Sequence, residues 1–334
     1  MALPRAEHGE LVLNAAGSTH VGQERDHNED VVLVRVDLHL YVVADGAGGH
    51  AAGDVAAQLA VGSIEDYFST TVKATRSAAE FDQCGLPTGA RRLSAAIHRA
   101  NREVIQMSRS SRHHRGMGTT VVAACFSPRS GLLHIGHVGD SRCYRQRGGH
   151  LELLTKDHSL LTEVLEQRPD VDDSVLMALP QNVVTRALGM DERVRVSMRS
   201  LAVVERDRYL LCSDGLSAVV EASAIADALG EAPEPTAAVQ RLIDLANQAG
   251  GPDNIAVAVI DCRGGYEQAL PASARGRALP RVEVSDERAA RHELADEADP
   301  ELLILGIEEI DTRGRLDGDD LIRAVGELLG KRQR

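Results

Sequence analysis

The stretch Leu40-Tyr41-Val42-Val43-Ala44-Asp45-Gly46-Ala47-Gly48-Gly49-His50 sets the plan of the chain. Its unbroken apolar run has strand length, and it feeds an Asp-Gly step, a glycine-dense turn and an alanine-rich helix starting near Gly53. A carboxylate is thereby fixed at the end of a buried strand. Asp45 followed by Gly46 suits a hard cation: the side chain can bridge two metal ions, and the small neighbour lets its own carbonyl come close enough to ligate. Asp-Gly is also among the commonest turn dipeptides, so a plain strand-to-helix turn is the alternative. Gly46, Gly48 and Ala51 fit the dinucleotide fingerprint G-x-G-x-x-G/A as well. That fingerprint needs another strand ending in an acidic residue about 20 residues on. Here Glu65 and Asp66 are followed by the polar Ser69 to Ser77, with no apolar run.

A chain of 334 residues allows one large domain with an appendage, or two domains, and can bury a sizeable core. With no tryptophan and few aromatics, that core must be Ala, Val, Leu and Ile. The formal charge of -13 argues against a general nucleic-acid binder, and an anionic substrate would need bound cations to attract it. Cys84, Cys125, Cys143, Cys212 and Cys262 are widely spread without C-x-x-C spacing and read as reduced thiols. There is no run of 18 apolar residues, and Met1 to His8 lacks a signal-peptide core. The expectation is a soluble cytoplasmic protein with no membrane partner.

Along the chain, Leu11 to Ala16 reads as a strand and Gly17 to Asp30 as a polar connector carrying Arg25, Glu29 and Asp30. Val31 to Val36 and Leu40 to Ala44 make a hairpin, so Glu29-Asp30 and Asp45 meet if the neighbouring strands align them. Gly53 to Phe68 and Arg91 to Ser108 have helical spacing, with a low-pattern loop at Ser69 to Gly89. From Thr119 the period becomes that of sheet: Thr120 to Phe126, Leu132 to Val138, Arg142 to Gln146 and His150 to Leu154 suggest a meander, with Asp140 in one of its turns. Asp157 to Gln167 reads as a helix capped by Ser159 or Asp157, and Arg168 to Gln181 as a surface excursion. Val183 to Leu188, Arg193 to Val196 and Tyr209 to Cys212 are further strands, the last delivering a second Asp-Gly at Asp214-Gly215. Ala222 to Leu229 and Thr236 to Ala249 read as helices. Asp253-Asn254 then opens the strand Ile255 to Ile260.

After Cys262 the composition shifts. Residues 263–284 read as a linker rich in Gly, Ala, Pro and Arg, and 285–334 as a short helical extension suited to docking a partner or to self-association. Asp311 to Asp320 fails as a calcium loop because arginines stand where oxygen ligands are needed.

Asp45, Asp214 and Asp253 each flank an apolar strand beside Gly or Asn, and Glu29, Asp30 and Asp140 add carboxylates in turns. Such a cluster persists only with cations between its members. All-oxygen ligation points to Mg²⁺ or Mn²⁺ rather than zinc. Two such ions about 4 Å apart activate a bridging water and steady in-line attack on phosphorus. Arg25 suits the phosphoryl oxygens through its bidentate fork, and His50 suits protonation of the leaving alkoxide. The plainer alternatives are an exposed Arg in an acidic loop and a helix-start His making a local hydrogen bond.

The order Gly22-x-x-Arg25-x-x-Asn28-Glu29-Asp30, Val43-Ala44-Asp45-Gly46-x-Gly48-Gly49-His50, Gly118-Thr119-Thr120, Val138-Gly139-Asp140-Ser141-Arg142, Thr155-x-Asp157-His158-Ser159, Thr185-Arg186-Ala187-Leu188-Gly189, Leu211-Cys212-Ser213-Asp214-Gly215-Leu216 and Asp253-Asn254 resembles the bacterial metal-dependent protein phosphatases of the PPM (type 2C) family. The likeness covers about residues 10–262. It implies an α+β fold, a four-layer α-β-β-α sandwich of two antiparallel sheets flanked by helices, with a metal cleft at one end. It implies hydrolysis of protein phosphoserine and phosphothreonine by metal-bound water without a phosphoenzyme, opposing serine/threonine kinases. By the same resemblance Asp45 bridges two Mn²⁺ or Mg²⁺ ions, Gly46 ligates one through its carbonyl, and Asp214 and Asp253 complete the other. Glu29 and Asp30 act on the metals largely through water, Arg25 binds phosphate, His50 is the general acid, and Asp140 with Asp214 forms a third, weaker site. Arg168 to Asn182 matches the variable flap where substrate choice resides. Ala47 departs from the Met usual in bacterial relatives, removing bulk but no ligand. Two other classes stay open at this stage: a phosphoprotein-binding scaffold that works through its tail, and a nicotinamide-dependent oxidoreductase built on the glycine turn.

Overall fold

Alternate residues of the Leu40–Ala47 strand enter two different cores. Leu40, Val42 and Ala44 pack beneath helices, while Tyr41 and Val43 face the space between two sheets. The apolar run is unbroken because both faces of the strand are covered. The structure, a computed structural model, describes residues 11–47, 52–75, 87–128, 131–180, 182–263 and 282–284.

Strands β1 (Val12–His20), β2 (Asp30–Arg35) and β3 (Leu40–Ala47) lead into helices α1 (Gly53–Thr75) and α2 (Thr88–Ser110). Then come β4 (Gly118–Thr119), β5 (Val121–Ser127), β6 (Leu132–Val138), β7 (Arg142–Arg147) and β8 (His150–Leu153). Helices α3 (Leu160–Gln167) and α4 (Asp173–Ala178) precede β9 (Val196–Ala202) and β10 (Arg208–Cys212). The described chain closes with α5 (Asp214–Ser217), α6 (Ala222–Glu231), α7 (Pro235–Gln248), β11 (Ile255–Arg263) and β12 (Val282–Val284).

One sheet has the order β1-β11-β10-β7-β8 and the other β12-β9-β6-β5-β3-β2, with β4 beside β3. Every strand pair among the described residues is antiparallel. Three cores separate four layers. Leu93, Ile97 and Val104 of α2 pack with Val121 and Ala123 of β5; Val122 and Phe126 meet Tyr209 and Ala258 between the sheets; Val257 and Val259 meet Leu242 and Ile243 of α7. The result is an α+β, α-β-β-α sandwich, as the sequence leads one to expect. Parallel βαβ units, on which a dinucleotide site depends, are absent from the described residues.

Some boundaries differ from the sequence reading. β1 runs on to His20 because it pairs with β11 over its full length, from Val12↔Arg263 to His20↔Ile255. α1 continues to Thr75 and α2 begins at Thr88, taking up part of the expected loop. The expected meander is split: β5 and β6 pair in one sheet, β7 and β8 in the other, and Gly139 at φ 108° starts the crossing. Val183 to Leu188 forms no strand; it makes only the bridges Ser159↔Val184 and Thr119↔Leu188, and the next strand begins at Val196. Ser159, not Asp157, caps α3, accepting from Thr162 N at 3.3 Å. Of the expected linker, Val282–Val284 pairs with β9. Residues 285–334, including the rejected calcium loop, lie outside the described residues, as does Cys84. Cys125, Cys143, Cys212 and Cys262 are free and buried, in keeping with reduced thiols. No described helix is long and apolar enough to cross a membrane.

A buried histidine in this scaffold makes it acid-sensitive. His134 on β6 is fully buried between Ser127 Oγ (3.0 Å) and Ser200 Oγ (2.8 Å), and burial pushes its imidazole down to about 3. The unfolded chain takes up this proton near pH 6.5 and the folded one does not until near 3, so the stability is full above 6.5 and is lost as pH falls through that window. Between pH 7 and 5 the loss is about 2 kcal/mol. Urea melts of wild type and His134→Gln isolate it: the pH slope of the variant is expected to be shallower by that amount. The comparison is needed because the raised carboxyl of Asp140 titrates with the opposite sign.

Candidate active site

Strand register brings the first two carboxylates together. Asp30 opens β2 and Asp45 lies near the end of β3, and the two are direct cross-strand partners. Asp45 is held from the neighbouring strand region: its carbonyl accepts from Thr120 N and Thr119 Oγ1, both at 2.8 Å. Asp214 comes from the other sheet, at the start of α5 just beyond β10. Ser213 ties the two sheets at this point, its hydroxyl donating to Asp30 Oδ2 at 2.7 Å and accepting from Ala256 N at 2.9 Å. Both Asp-Gly steps need their glycine, since a Cβ on Gly46 would collide with the carbonyl of Gly53 and one on Gly215 with that of Asn254.

The electrostatics show carboxylates forced together. Asp45 is crowded by Asp30, its cross-strand partner, and by Asp214, each close enough for its charge to act on the Asp45 carboxyl. Burial, then the like charges of Asp30 and Asp214, pushes the Asp45 carboxyl well above the usual range. Asp30 and Asp214 are raised as well, each by burial first. Burial and the charge of Asp214 push Asp140 up to about 7. Glu29 is raised by burial and by Asp54. Two carboxyl oxygens, Asp30 Oδ1 and Asp214 Oδ1, are buried without a hydrogen-bond partner.

These observations fit hard divalent cations. Carboxyl groups stay in such contact only with a proton or a cation among them, and orphaned buried oxygens supply ligating positions that the protein leaves unmet. The donor set is all oxygen, as Mn²⁺ and Mg²⁺ require. The cluster is not a finished cage: no group of three His, Cys, Asp or Glu side chains among the described residues is arranged to hold a metal ion as it stands. Asp253 instead accepts from Arg25 Nη2 at 2.9 Å, and the Glu29 carboxylate lies against Gly53 at the start of α1. Among the described residues Arg25 pairs with the half-exposed Asp253, and its own side chain is 57% exposed. His50 lies outside the described residues.

Asn254 is a site residue that reading the sequence left without a role. It is 6% exposed and holds the Arg25–Glu29 connector: Oδ1 accepts from Glu29 N at 2.8 Å, and Nδ2 donates to the carbonyls of Val21 and His27, both at 2.9 Å. Its place immediately after Asp253 is the signal that singles it out. A separate pocket of about 600 Å³, lined by Arg206, Arg208, Leu229 and Cys262, lies at the opposite end of β10 and shares no residue with the carboxylates.

Residues 16–255 match the protein phosphatase 2C family. Among curated relatives, the serine/threonine protein phosphatase PstP of Mycobacterium tuberculosis is 36% identical over 253 residues, which is 75% of this chain and 45% of that protein, so the match spans less than half of the relative. The serine/threonine phosphatase stp of Listeria welshimeri is 33% identical over 75% of this chain and 96% of its own length. The solved catalytic domain of PstP in complex with two manganese ions superposes with a TM-score of 0.64 at 33% identity, covering 76% of this chain and 99% of that one. With the sandwich, the paired strand-end carboxylates and these likenesses together, the chain belongs to the protein phosphatase 2C family.

Proposed function

We propose that this chain hydrolyses phosphoserine and phosphothreonine esters on proteins with the help of two divalent cations, Mn²⁺ or Mg²⁺, opposing serine/threonine kinases. The observation that carries the reading is the contact of Asp30, Asp45 and Asp214, residues far apart in sequence, with two of their buried oxygens unpartnered. The two manganese ions in the PstP catalytic domain support it.

Asp45, the Gly46 carbonyl, Asp214 and Asp253 would hold the core ions, Glu29 and Asp30 would act largely through water, and Asp140 with Asp214 would make a weaker third site. When bound, the ions supply an activated water at neutral pH and neutralise charge on the phosphoryl oxygens. Arg25 leaves Asp253 to fork onto the phosphoryl group, which orients phosphorus in line with the attacking oxygen. His50 gives its proton to the leaving alkoxide of serine or threonine. The flap contributes substrate choice: α4 exposes Val175 and Met177, the latter 84% exposed, as apolar contacts for sequence around the phosphoresidue.

Hydrolysis of a phosphothreonine peptide across an Mn²⁺ titration tests the reading. Turnover is expected only with added divalent cation. A folded chain inert with every such cation would leave a phosphoprotein-binding module instead. The sequence places the end of the catalytic unit near Cys262, but Val282–Val284 pairs with β9, so a chain cut after Val284 is the one expected to keep its turnover within about twofold. Loss of activity with retained folding would mean that the tail completes the cleft.

A further inference from the structure

The crossing from β6 to β7 carries Asp140 out of one sheet and toward Asp214 of the other. Like charges facing one another drive such a carboxylate outward unless its backbone is anchored. The anchor is the segment Thr155–Ser159. Gly139 N donates to His158 Nδ1 at 3.0 Å, and His158 N donates back to the Gly139 carbonyl at 3.0 Å, so one residue grips both sides of the turn. Gly139 holds φ +108°, a conformation that L side chains rarely adopt. Beyond Asp140, Ser141 Oγ and Thr120 Oγ1 share a hydrogen bond of 2.7 Å. Arg142 is clasped by the Asp157 carboxylate through Nε at 3.0 Å and Nη2 at 2.7 Å.

The far side of the His158 ring is fixed too. It is stacked on His137 with ring centroids 4.7 Å apart, and Thr185 N donates to its carbonyl at 2.8 Å. A backbone N–H donates only to a bare ring nitrogen, so Nδ1 is unprotonated and Nε2 carries the hydrogen, donating to Ser197 Oγ on β9 at 2.8 Å. The ring therefore sits between the crossing and β9, the neighbour of β6 in the sheet that the chain is leaving.

We propose that His158 is a positioning residue for the reaction: through Nδ1, which accepts from Gly139 N, it fixes the Gly139 peptide, and thereby holds the Asp140 carboxylate toward Asp214 for the weaker divalent-cation site. The inference rests on the phosphatase reading above. It predicts that only the nitrogen facing Gly139 matters to the site. In His158→Asn the amide oxygen takes the place of Nδ1 and still accepts from Gly139; in His158→Gln the amide reaches toward Ser197 instead, and in His158→Ala both bonds go.

The test uses the full chain and two readouts. Hydrogen exchange of the Gly139 amide is followed without metal, and Mn²⁺ binding is followed by calorimetry. Wild type and His158→Asn are expected to keep the amide protected, whereas His158→Gln and His158→Ala lose protection and bind the weakest Mn²⁺ roughly tenfold less tightly. In an Asp140→Ala background, His158→Ala is expected to change turnover by less than about twofold, since it acts through that carboxylate. Equal protection of Gly139 in all variants, or multiplying losses of turnover in the double variant, would overturn the proposal. Should His158→Ala fail to fold, the contrast of His158→Asn with His158→Gln decides. A wild type that binds Mn²⁺ but hydrolyses no phosphopeptide sinks the phosphatase reading alone, and the exchange pattern still rules on His158.

Discussion

Asp45→Ala and Asp214→Ala are each expected to lower Mn²⁺-dependent hydrolysis of a phosphothreonine peptide by at least about 10²-fold, with the far-ultraviolet circular dichroism of the fold retained. Divalent ions supply several kcal/mol of charge stabilisation in phosphoryl transfer, and each 1.4 kcal/mol lost is about tenfold in rate. Near-full turnover in either variant would unseat the site assignment. The stability effect should run the other way. Burial and the charges of Asp30 and Asp214 raise the Asp45 carboxyl in the folded chain, so the stability it contributes is full below its unfolded value of 3.8 and is lost as pH rises through the higher folded one. At pH 7.5 without metal the group is a liability. Asp45→Asn removes it, and its metal-free Tm is expected to exceed wild type by about 2–4 °C, which is roughly 1 kcal/mol for a domain of this size. Added Mn²⁺ should raise the Tm of wild type and leave that of Asp45→Asn nearly unchanged. Function and fold compete at this carboxylate.

The sequence makes Asp45 and Asp214 legible because each follows an apolar run buried on both faces and precedes a glycine that only a close backbone approach explains. The Asp30–Asp45 meeting is also foreshadowed, since a hairpin between Val31 and Ala44 aligns its open ends. Sheet membership is another matter. Val138-Gly139-Asp140-Ser141-Arg142 has the look of a hairpin turn, yet β6 finds β9 and β7 finds β10 as neighbours, and nothing local to the turn encodes those choices. The same limit hides the positioning residues. Ser213 acts on Asp30 across 183 residues of chain and Asn254 on Glu29 across 225, so their roles exist only once the two sheets have closed. Val183 to Leu188 reads as a strand by apolar pattern, but its backbone bonds go to His158 and Leu160 at one end and to Thr119 at the other, rather than along one strand.

Asn254→Ala is expected to cost about 2–4 kcal/mol in urea unfolding and, in the folded fraction, to lower kcat/KM by roughly 10- to 100-fold. The stability loss follows from three hydrogen bonds removed at once, leaving Glu29 N and the carbonyls of Val21 and His27 without their buried partner. The activity loss follows from what those bonds hold, since the connector between Val21 and Glu29 carries Arg25 and Glu29, which the proposed function assigns to the phosphate and to the metals, and supporting contacts of this kind are worth that much to a metal site. Arg25→Ala provides the control that separates scaffold from chemistry. Its ion pair with Asp253 joins side chains 57% and 37% exposed, and such pairs contribute between nothing and about 1 kcal/mol. That variant should therefore unfold nearly as wild type does while KM for the phosphopeptide rises about tenfold, and Arg25→Lys should recover only part of the loss because an ammonium lacks the planar fork. If Asn254→Ala instead left unfolding unchanged, the connector would be held by something other than this amide, and the close approach of Arg25 to the carboxylates would need another cause.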